Sequence, residues 1–379
     1  MAGIYIHIPF CKQACHYCDF HFSTSMKKKT EMIEALAKEI ITRKEEFSEK
    51  IETIYFGGGT PSLLLVDEIN FLIGTIYSNY KVDAKPEITL EANPDDLSSE
   101  KIKALAQTKI NRLSIGVQSF FEDDLKLMNR AHNAKEALRC LDNATKYFSN
   151  ISIDLIYGIQ HMSVEKWKKN IHTALSFNIP HISSYALTVE PKTALAKFIK
   201  TGAMPDVDDE LAQQHFEILV EMLEKKGFVH YELSNFGKEG YFSRNNTAYW
   251  LGKKYMGIGP SAHSFDGKNR SWNINNNTKY LNSIHNGVLP KETERLSVTD
   301  RYNEAVMTGL RTIWGISLHK IENKYGKPYK DYLLKQAARY IKEDLLTFTD
   351  NKQTLKTGKK GKFLADGIAS DLFMLKDIA

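Results

Sequence analysis

Residues Ile4–Cys18 (IYIHIPFCKQACHYC) decide the fold, because they join a strand-like run directly to a cluster of cysteines. The first part, Ile4–Ile8, has strand length and is rich in β-branched and aromatic residues, which predicts a β-strand. The second part holds Cys11, Cys15 and Cys18 in a C-x3-C-x2-C run. A loop this tight after a strand can direct three thiolates at one center.

Strand-like and helix-like runs alternate through residues 1–234. Such alternation implies a parallel sheet of βα units, and six consecutive units favor a partial (β/α)6 barrel of the TIM type. In such barrels the chemistry lies on loops after the carboxyl ends of the strands. The predicted strands are Ile4–Ile8, Ile51–Phe56, Glu87–Glu91, Arg112–Val117, Ile151–Tyr157, His181–Leu187 and Phe228–Leu233. The predicted helices are Lys27–Phe47, Ser62–Tyr77, Ser98–Gln107, Ala134–Phe148, Ser163–Phe177 and Asp208–Lys226.

We predict three parts of the chain. Residues 1–234 form the α/β barrel, and residues 235–296 form a connecting segment, rich in Gly, Asn and aromatic residues, that packs on it. Residues 297–379 form a mostly helical C-terminal domain, for which a winged-helix-like arrangement is one interpretation. The elements predicted there are helices Asp300–Ile313, Leu318–Tyr325, Tyr329–Ile341 and Ala365–Leu375, and hairpin strands Leu346–Thr349 and Thr354–Lys356.

The composition is that of an ordinary globular protein. The 379 residues include 51 Lys+Arg against 46 Asp+Glu, a net charge of +5, and 42% are hydrophobic. These values exclude a disordered chain, and the small charge excess gives no reason to expect nucleic-acid binding. No apolar run approaches the roughly 18–20 residues needed to span a bilayer, and the start lacks a signal-peptide pattern. We therefore expect a cytoplasmic protein without an integral membrane segment.

The cysteine cluster has two chemical interpretations. In a cytosolic protein such a cluster binds a metal or an iron–sulfur cluster more often than it forms disulfides. Structural zinc takes four ligands, so His16 or His21 would have to complete a zinc site. Iron–sulfur clusters normally take four thiolates, and three would leave one iron open to chelate a substrate or cofactor. The fourth cysteine, Cys140, lies within a predicted helix and is expected to be a buried free thiol.

The cysteine run, with Tyr17 directly before its last member, resembles the signature of the radical S-adenosylmethionine (SAM) superfamily. The stretch Phe56–Pro61 (FGGGTP) strengthens the resemblance, although a Gly-rich turn between a strand and a helix is by itself common. In that superfamily the cysteines ligate a [4Fe–4S] cluster, SAM binds the open iron, and the glycine loop holds the amino group of SAM. The resemblance therefore implies that Cys11, Cys15 and Cys18 ligate the cluster.

Four further stretches resemble one branch of the superfamily, the oxygen-independent coproporphyrinogen III oxidase family with its relatives, the HemW-type heme chaperones. The stretches are Tyr5–Cys11 (YIHIPFC), Glu91–Pro94 (EANP), Arg112–Phe120 (RLSIGVQSF) and Asp154–Gly158 (DLIYG). The resemblance covers nearly the whole chain. It implies a SAM site formed by Tyr5, Tyr17, Gly58, Gly59, Thr60, Glu91, Gln118, Arg130, Asp154 and Ala186.

The residue types suit these roles. Glu91 and Asp154 can accept hydrogen bonds from ribose hydroxyls or from an ammonium group, and Arg130 can pair with the SAM carboxylate. From the sequence alone, Asp154 could instead be a strand carboxylate that the backbone satisfies. Arg130 could likewise be a solvated charge at a helix end.

Three features favor the chaperones over the oxidases. The oxidases have a fourth cysteine two residues after the third, where this chain has Phe20. They also have a long segment before the first strand, whereas the first cysteine here is Cys11. Finally, Asn245–Trp250 (NNTAYW) and Tyr255–Ser264 (YMGIGPSAHS) resemble the chaperone signature H-N-x-x-Y-W and the glycine-rich stretch that follows it.

The sequence leaves the heme site open. Asn245 stands where the signature has His, and an amide is a poor iron ligand compared with imidazole. Tyr249 and Trp250 could stack on a porphyrin or could close the barrel core. His263 and His230 could ligate heme iron or could be hydrogen-bonded structural residues.

The resemblance implies a heme chaperone that binds a [4Fe–4S] cluster, SAM and heme and delivers heme to an acceptor, such as a respiratory, membrane-bound hemoprotein. We expect a monomer or weak dimer in the cytoplasm, with peripheral contact at the inner face of the membrane. Two alternatives stay open. One is an oxidase that converts the propionates of coproporphyrinogen III to vinyls by radical SAM chemistry, and the other is a structural zinc protein without redox chemistry.

Overall fold

The computed structural model describes residues 2–375 as a large α/β unit followed by a smaller C-terminal domain. The strands are β1 (Ala2–Ile8), β2 (Ile51–Gly58), β3 (Val82–Ala92), β4 (Arg112–Gln118), β5 (Ile151–Tyr157), β6 (His181–Ala186), β7 (Val229–Glu232), β8 (Asn235–Gly237), β9 (Lys254–Ile258), β10 (His263–Phe265), β11 (Asn269–Asn273), β12 (Lys291–Arg295), β13 (Ile316–Ser317), β14 (Leu346–Thr349) and β15 (Thr354–Thr357). The helices are α1 (Lys29–Thr42), α2 (Val66–Asn79), α3 (Ser99–Leu105), α4 (Glu122–Leu127), α5 (Ala134–Ala144), α6 (Val164–Ser176), α7 (Ala194–Lys200), α8 (Asp209–Glu224), α9 (Arg244–Trp250), α10 (Asn277–His285), α11 (Val298–Leu310), α12 (Leu318–Tyr325), α13 (Lys327–Lys342) and α14 (Ala365–Asp371).

The predicted parallel barrel is confirmed. Strands β1 to β6 lie side by side in chain order, and each pairs in parallel with the next. Most predicted strands and helices recur with small shifts at their ends. The largest strand difference is β3, which begins at Val82 rather than at Glu87. The added residues include exposed Lys85 and half-buried Pro86, whose polar and proline character hides a strand from a periodicity argument.

Segment 235–296 contributes five strands to the same twelve-stranded sheet. Strand β8 pairs antiparallel with β6 at one side, and β9 pairs in parallel with β1 at the other. Strands β10, β11 and β12 continue antiparallel beyond β9. Sequence reasoning missed these strands because they are short, and because Asn, Gly and Ser in β8, β10 and β11 are typical of turns.

The C-terminal domain has its own hydrophobic core, centered on Tyr302, Leu310, Leu333 and Leu355. Helices α11 to α14 surround a three-stranded sheet in the order β13-β15-β14. The predicted helices and hairpin are all present, although the last helix ends at Asp371, before its predicted end. Among residues 2–375, none of the helices is long and apolar enough to cross a membrane.

A buried network around Glu39 fixes the added strands to the barrel. One oxygen, Oε2, accepts hydrogen bonds from the Gly259 amide (2.8 Å) and the Tyr280 hydroxyl (2.6 Å). The other, Oε1, accepts from Arg43 Nη1 (3.0 Å) and Asn273 Nδ2 (2.8 Å). The contact with Arg43 stays at the end of α1. The contacts with Gly259, Asn273 and Tyr280 join α1 to the region around β9. The end of β9 is therefore held beside the end of β1, where the cysteine loop begins.

We expect Glu39→Ala to destabilize the chain by about 3–5 kcal/mol, because it leaves the Arg43 charge and several buried donors unpaired. Denaturant unfolding measures the change. Glu34→Ala, at an exposed position of the same helix, is the matched control and should change stability by less than about 0.5 kcal/mol. Equal effects of the two substitutions would contradict the assigned role of Glu39.

Candidate functional site

A cavity of about 510 Å³ lies at the carboxyl ends of the parallel strands. Residues of strands β2 to β6, together with the loops that follow β1, β2, β3, β4 and β6, contribute to its wall, as expected for a barrel of this class. Twelve of the predicted cluster and SAM residues line it: Cys11, Cys15, Tyr17, Cys18, Gly58, Gly59, Thr60, Glu91, Gln118, Arg130, Asp154 and Ala186. The sequence therefore predicted a set of residues that the fold brings together from six separate segments.

The cysteine loop lies at the mouth of this cavity with its three thiols free and half-buried. Backbone hydrogen bonds hold the loop, from the Cys11 amide to Ser23 O (3.1 Å) and from the His16 amide to Met128 O (3.1 Å). The Thr60 hydroxyl lies 3.4 Å from Cys11 Sγ. Three soft thiol ligands on one short loop fit an iron–sulfur cluster that keeps one iron open.

The two histidines that a zinc site would need have other partners. His16 Nδ1 lies 2.8 Å from Leu127 O, and its ring packs edge-on against Phe198. His21 Nε2 lies 2.7 Å from Asn277 Oδ1. Within residues 2–375, no group of three or more His, Cys, Asp or Glu side chains is placed to hold a single metal ion.

The glycine loop after β2 packs directly against β1 and the cysteine loop. Gly58 has φ +105°, and a Cβ there would lie 2.5 Å from His7 Nδ1. A Cβ on Gly59 would lie 2.6 Å from Phe10 O, and its amide donates to Ile8 O (2.9 Å). Only glycine allows both this conformation and this contact. The loop is thereby fixed beside the thiols with its backbone facing the cavity.

Arg130 faces the cavity rather than bulk solvent. Its Nη2 donates to Asn93 Oδ1 (2.6 Å) and to Gly116 O (2.8 Å), and its Nη1 lies 3.4 Å from Cys15 Sγ. Its Nε has no hydrogen-bond partner among residues 2–375. A half-buried arginine with an unsatisfied Nε–H fits a ligand carboxylate, such as that of SAM.

Two carboxyl groups, those of Glu91 and Asp154, also line the cavity. Glu91 Oε1 accepts from the Tyr55 hydroxyl (2.7 Å), and Asp154 is hydrogen-bonded to Ser183. Burial, with the nearby Asp154 charge, raises the pKa of Glu91 to about 7, and burial raises the pKa of Asp154 to about 6. Such carboxyls gain from a ligand that brings an ammonium group or hydroxyl donors, which SAM does.

Gln118 ends β4 in a strained conformation. Its φ is +67°, a region that non-glycine residues rarely adopt, and its side chain is buried against the cavity. A Cβ on Gly116 would lie 2.9 Å from Gln118 Nε2 and 3.2 Å from Arg130 Nη2. Strain of this kind is common where a side chain must face a ligand. Gly116 was not predicted, but it makes room for two residues that were.

The remaining predicted residues lie off the cavity wall. Tyr5 stands behind it, with its ring stacked on Tyr55 at 6.0 Å between centroids. Tyr249 is inside the barrel, edge-on to Tyr255 at 4.5 Å. Trp250 lies under the Arg311 guanidinium, and His263 is exposed beside Trp272. The structure therefore does not bring the three heme candidates Tyr249, Trp250 and His263 into one pocket with the thiols.

Several cavity residues escaped the sequence analysis. Asn93 holds Arg130 and also donates from Nδ2 to Thr60 Oγ1 (3.3 Å). Tyr185, next to Ala186, is 44% exposed and lines the cavity. The signal available in the sequence was the position of these residues, since Asn93 follows β3 and Tyr185 lies near the end of β6. Other cavity residues that were not predicted include Ser114, Gly116, Phe22, Leu187, Thr188 and Glu190.

The geometry defines a class of protein, and comparisons with known proteins agree with it. A three-thiol loop, a packed glycine loop and a SAM-compatible cavity on a partial barrel are the features of a radical SAM protein. The Radical SAM superfamily model matches residues 5–174, and the HemN C-terminal domain model matches residues 296–356. The solved structure of coproporphyrinogen III oxidase (HemN) from Escherichia coli superposes with a TM-score of 0.84 at 22% identity, covering 98% of this chain and 90% of that chain. It shows the common fold.

Curated relatives identify the family. The heme chaperone HemW of Bacillus subtilis is 35% identical over 332 residues, which cover 86% of this chain and 88% of that protein. The heme chaperone HemW of Lactococcus lactis is 33% identical over 376 residues, covering 99% of this chain and 97% of that protein. The chain belongs to the HemW family of radical SAM proteins. The [4Fe–4S] cluster and SAM are the cofactors of the superfamily, and the residues that would hold them are present.

The raised Glu91 pKa predicts a pH-dependent stability for the protein without cofactors. The folded chain binds this proton more tightly than the unfolded chain, so the stabilization is full below the ordinary pKa of 4.5 and is lost as the pH rises through about 7. Between about pH 5 and pH 8, we expect the Glu91→Gln variant to lose about 1–3 kcal/mol less unfolding free energy than the wild type loses.

Denaturant unfolding at several pH values measures this difference. The exposed Glu34→Gln substitution is the control and should keep the wild-type pH profile. If Glu91→Gln also kept the wild-type profile, Glu91 would not hold its proton more tightly in the folded chain.

Proposed function

We propose that this protein is a heme chaperone that holds a [4Fe–4S] cluster and SAM, binds heme and delivers it to an acceptor protein. The cavity supports the proposal most directly, because three thiols, the Arg130 guanidinium and two carboxyls line one space. The likeness to two chaperones over most of the chain also supports it.

Each part of the cavity has a defined task in this proposal. Cys11, Cys15 and Cys18 would ligate the cluster, and Arg130 would pair with the carboxylate of SAM. Glu91 would accept hydrogen bonds from the ammonium group, and Asp154 from the ribose hydroxyls. When bound, the cluster with its open iron supplies a chelation site and a one-electron donor. The protein's own groups orient SAM and limit its contact with water.

Delivery of heme needs a partner beyond this chain. We propose an acceptor of the respiratory hemoprotein type and a chaperone that works in the cytoplasm, in peripheral contact with the inner face of the membrane, as a monomer or weak dimer. The heme candidates Tyr249, Trp250 and His263 belong to a segment that the cofactor cavity does not include. In this proposal heme therefore contacts a different part of the barrel from SAM.

The oxidase alternative shares the fold, and position 20 distinguishes it from the chaperone. This side chain lies at the cavity mouth and is 67% exposed, where the oxidases have a cysteine. A phenyl ring cannot supply a thiol ligand or its redox chemistry. This position favors the chaperone over the oxidase.

We expect anaerobic reconstitution with iron and sulfide to load roughly four irons and four sulfides per chain. Combined Cys11→Ala, Cys15→Ala and Cys18→Ala substitutions should abolish the loading. The matched control is Cys140→Ala, which removes a thiol 2% exposed in the barrel core. Zinc binding in place of iron and sulfide by the wild type would refute the proposal and favor the structural zinc protein.

A second test separates the chaperone from the oxidase. The reconstituted protein, given SAM, a reductant and coproporphyrinogen III, should form no protoporphyrinogen. Given heme, it should bind one heme and transfer it to an acceptor apoprotein. Protoporphyrinogen formation would overturn the assignment. Weaker heme binding in Tyr249→Ala or His263→Ala would place heme near these residues, and unchanged binding in both would exclude them.

A further inference from the structure

A second cavity, of about 120 Å³, lies where the barrel meets the C-terminal domain. Strand β7 supplies one wall and the C-terminal domain supplies the other. The two parts are joined there by an antiparallel bridge between Glu232 and Thr312, and by a hydrogen bond from the Ile313 amide to Tyr231 O (3.0 Å). The polar residues that line this cavity are His230, Glu232, Arg311, Thr312, Lys356, Thr357 and Lys362.

Two of these residues have unsatisfied polar atoms. Glu232 is 2% exposed, and its Oε1 accepts from Asn235 Nδ2 and from the Ser234 amide (3.1 Å). Arg311 Nη1 donates to both Asp366 oxygens, at 2.6 and 2.7 Å. Neither Glu232 Oε2 nor Arg311 Nε has a hydrogen-bond partner in the part of the chain that the structure describes. Leaving such buried groups unpaired is costly, and an anionic ligand oxygen would satisfy the Arg311 Nε–H.

The charges around the cavity favor an anionic ligand. Lys356 and Lys362 line it together with Arg311, and a metal cation would be repelled by these three charges. Outside, Asp366 pairs with Arg311, and Glu224 lies 3.7 Å from Lys362 Nζ. Burial raises the pKa of Glu232, the acidic side chain that lines the cavity.

Both ring nitrogens of His230 are hydrogen-bonded within the protein. Its Nε2 donates to Leu233 O (3.0 Å), and its Nδ1 accepts from Lys362 Nζ (3.0 Å). The ring also stacks on Phe236, with 4.1 Å between centroids. With both nitrogens used, His230 serves to place the Lys362 ammonium and is not free to ligate iron.

Trp250 holds Arg311 from the barrel side. The guanidinium carbon lies 5.0 Å from the centroid of the Trp250 ring, within cation–π range. Asp366 fixes the Nη1 edge of the same guanidinium. Trp250, the last residue of the NNTAYW stretch, therefore contacts the cavity residue Arg311 and orients its guanidinium.

We propose that this cavity binds a single oxyanion group, a carboxylate or a phosphate, through Arg311, Lys356 and Lys362, with Trp250 as a positioning residue. The volume suits one such group and excludes a porphyrin ring. If the group is a propionate of heme, the proposal rests on the proposed heme chaperone function, and the ring lies outside the cavity. If it is free phosphate, the site is independent of heme.

Calorimetric titration of the full chain with inorganic phosphate and with propionate tests the site. We expect saturable binding that Arg311→Gln weakens by about tenfold or more. The matched control is Arg339→Gln, since Arg339 also lies over an aromatic ring, that of Tyr340, and pairs with an aspartate, Asp371. Trp250→Leu should weaken binding, and Trp250→Phe should restore part of it. Lys362→Gln probes the same site if Arg311→Gln does not fold.

Heme and heme dimethyl ester distinguish the two sources. If a propionate is the ligand, Arg311→Gln weakens heme binding by about tenfold. Heme dimethyl ester then binds the wild type as weakly as heme binds Arg311→Gln, and phosphate competes with heme. If Arg311→Gln loses phosphate but keeps heme, the site holds a free oxyanion. A wild type that binds phosphate here but no heme would refute the chaperone function and leave the site standing. No saturable binding of either anion, or equal binding by Arg311→Gln and Arg339→Gln, would overturn the proposal.

Discussion

The parallel pairing of β1 with β2 is the constraint on which the rest of the site depends. It sets Ile8 opposite Gly58, so the cysteine loop and the glycine loop leave the sheet side by side. The Gly59 amide then bonds Ile8 O at 2.9 Å, and the absence of a Cβ lets the two loops touch. Because β9 pairs with the other side of β1, the strand that carries the thiols is central in the sheet and cannot shift without disturbing both neighbors.

Much of this arrangement was predictable because each unit carries a local signal. Six strands and their helices have clear periodicity, and the site residues follow strand ends, where parallel sheets gather their loops. Strands β8 to β12 were missed, since such short strands gain stability from pairing rather than from side-chain pattern. The position of Asn93 between Arg130 and Thr60 depends on contacts between distant segments, which no local pattern records.

The position of Asn245 explains why this residue can replace the His of the chaperone signature. Its Oδ1 accepts from Thr53 Oγ1 at 3.0 Å, and its backbone amide donates to Glu87 Oε1 at 3.0 Å; Thr53 and Glu87 are paired on the neighboring strands β2 and β3. It is 3% exposed. An axial ligand to heme must present a side chain to a large planar group, and a residue enclosed at the barrel floor does not. In this chain, position 245 stabilizes the helix and the barrel instead.

The cofactor cavity and the helix α9 thus occupy opposite ends of the same strands. A line of tyrosines connects them through the barrel interior. Tyr55 donates to Glu91 at the cavity, Tyr5 stacks on Tyr55, and Tyr249 lies near Tyr5. Burial raises the pKa of each of these three tyrosines well above its ordinary value, so all three hydroxyls remain protonated donors. These three rings therefore link the carboxyl of Glu91 at the cavity with α9, which carries Tyr249.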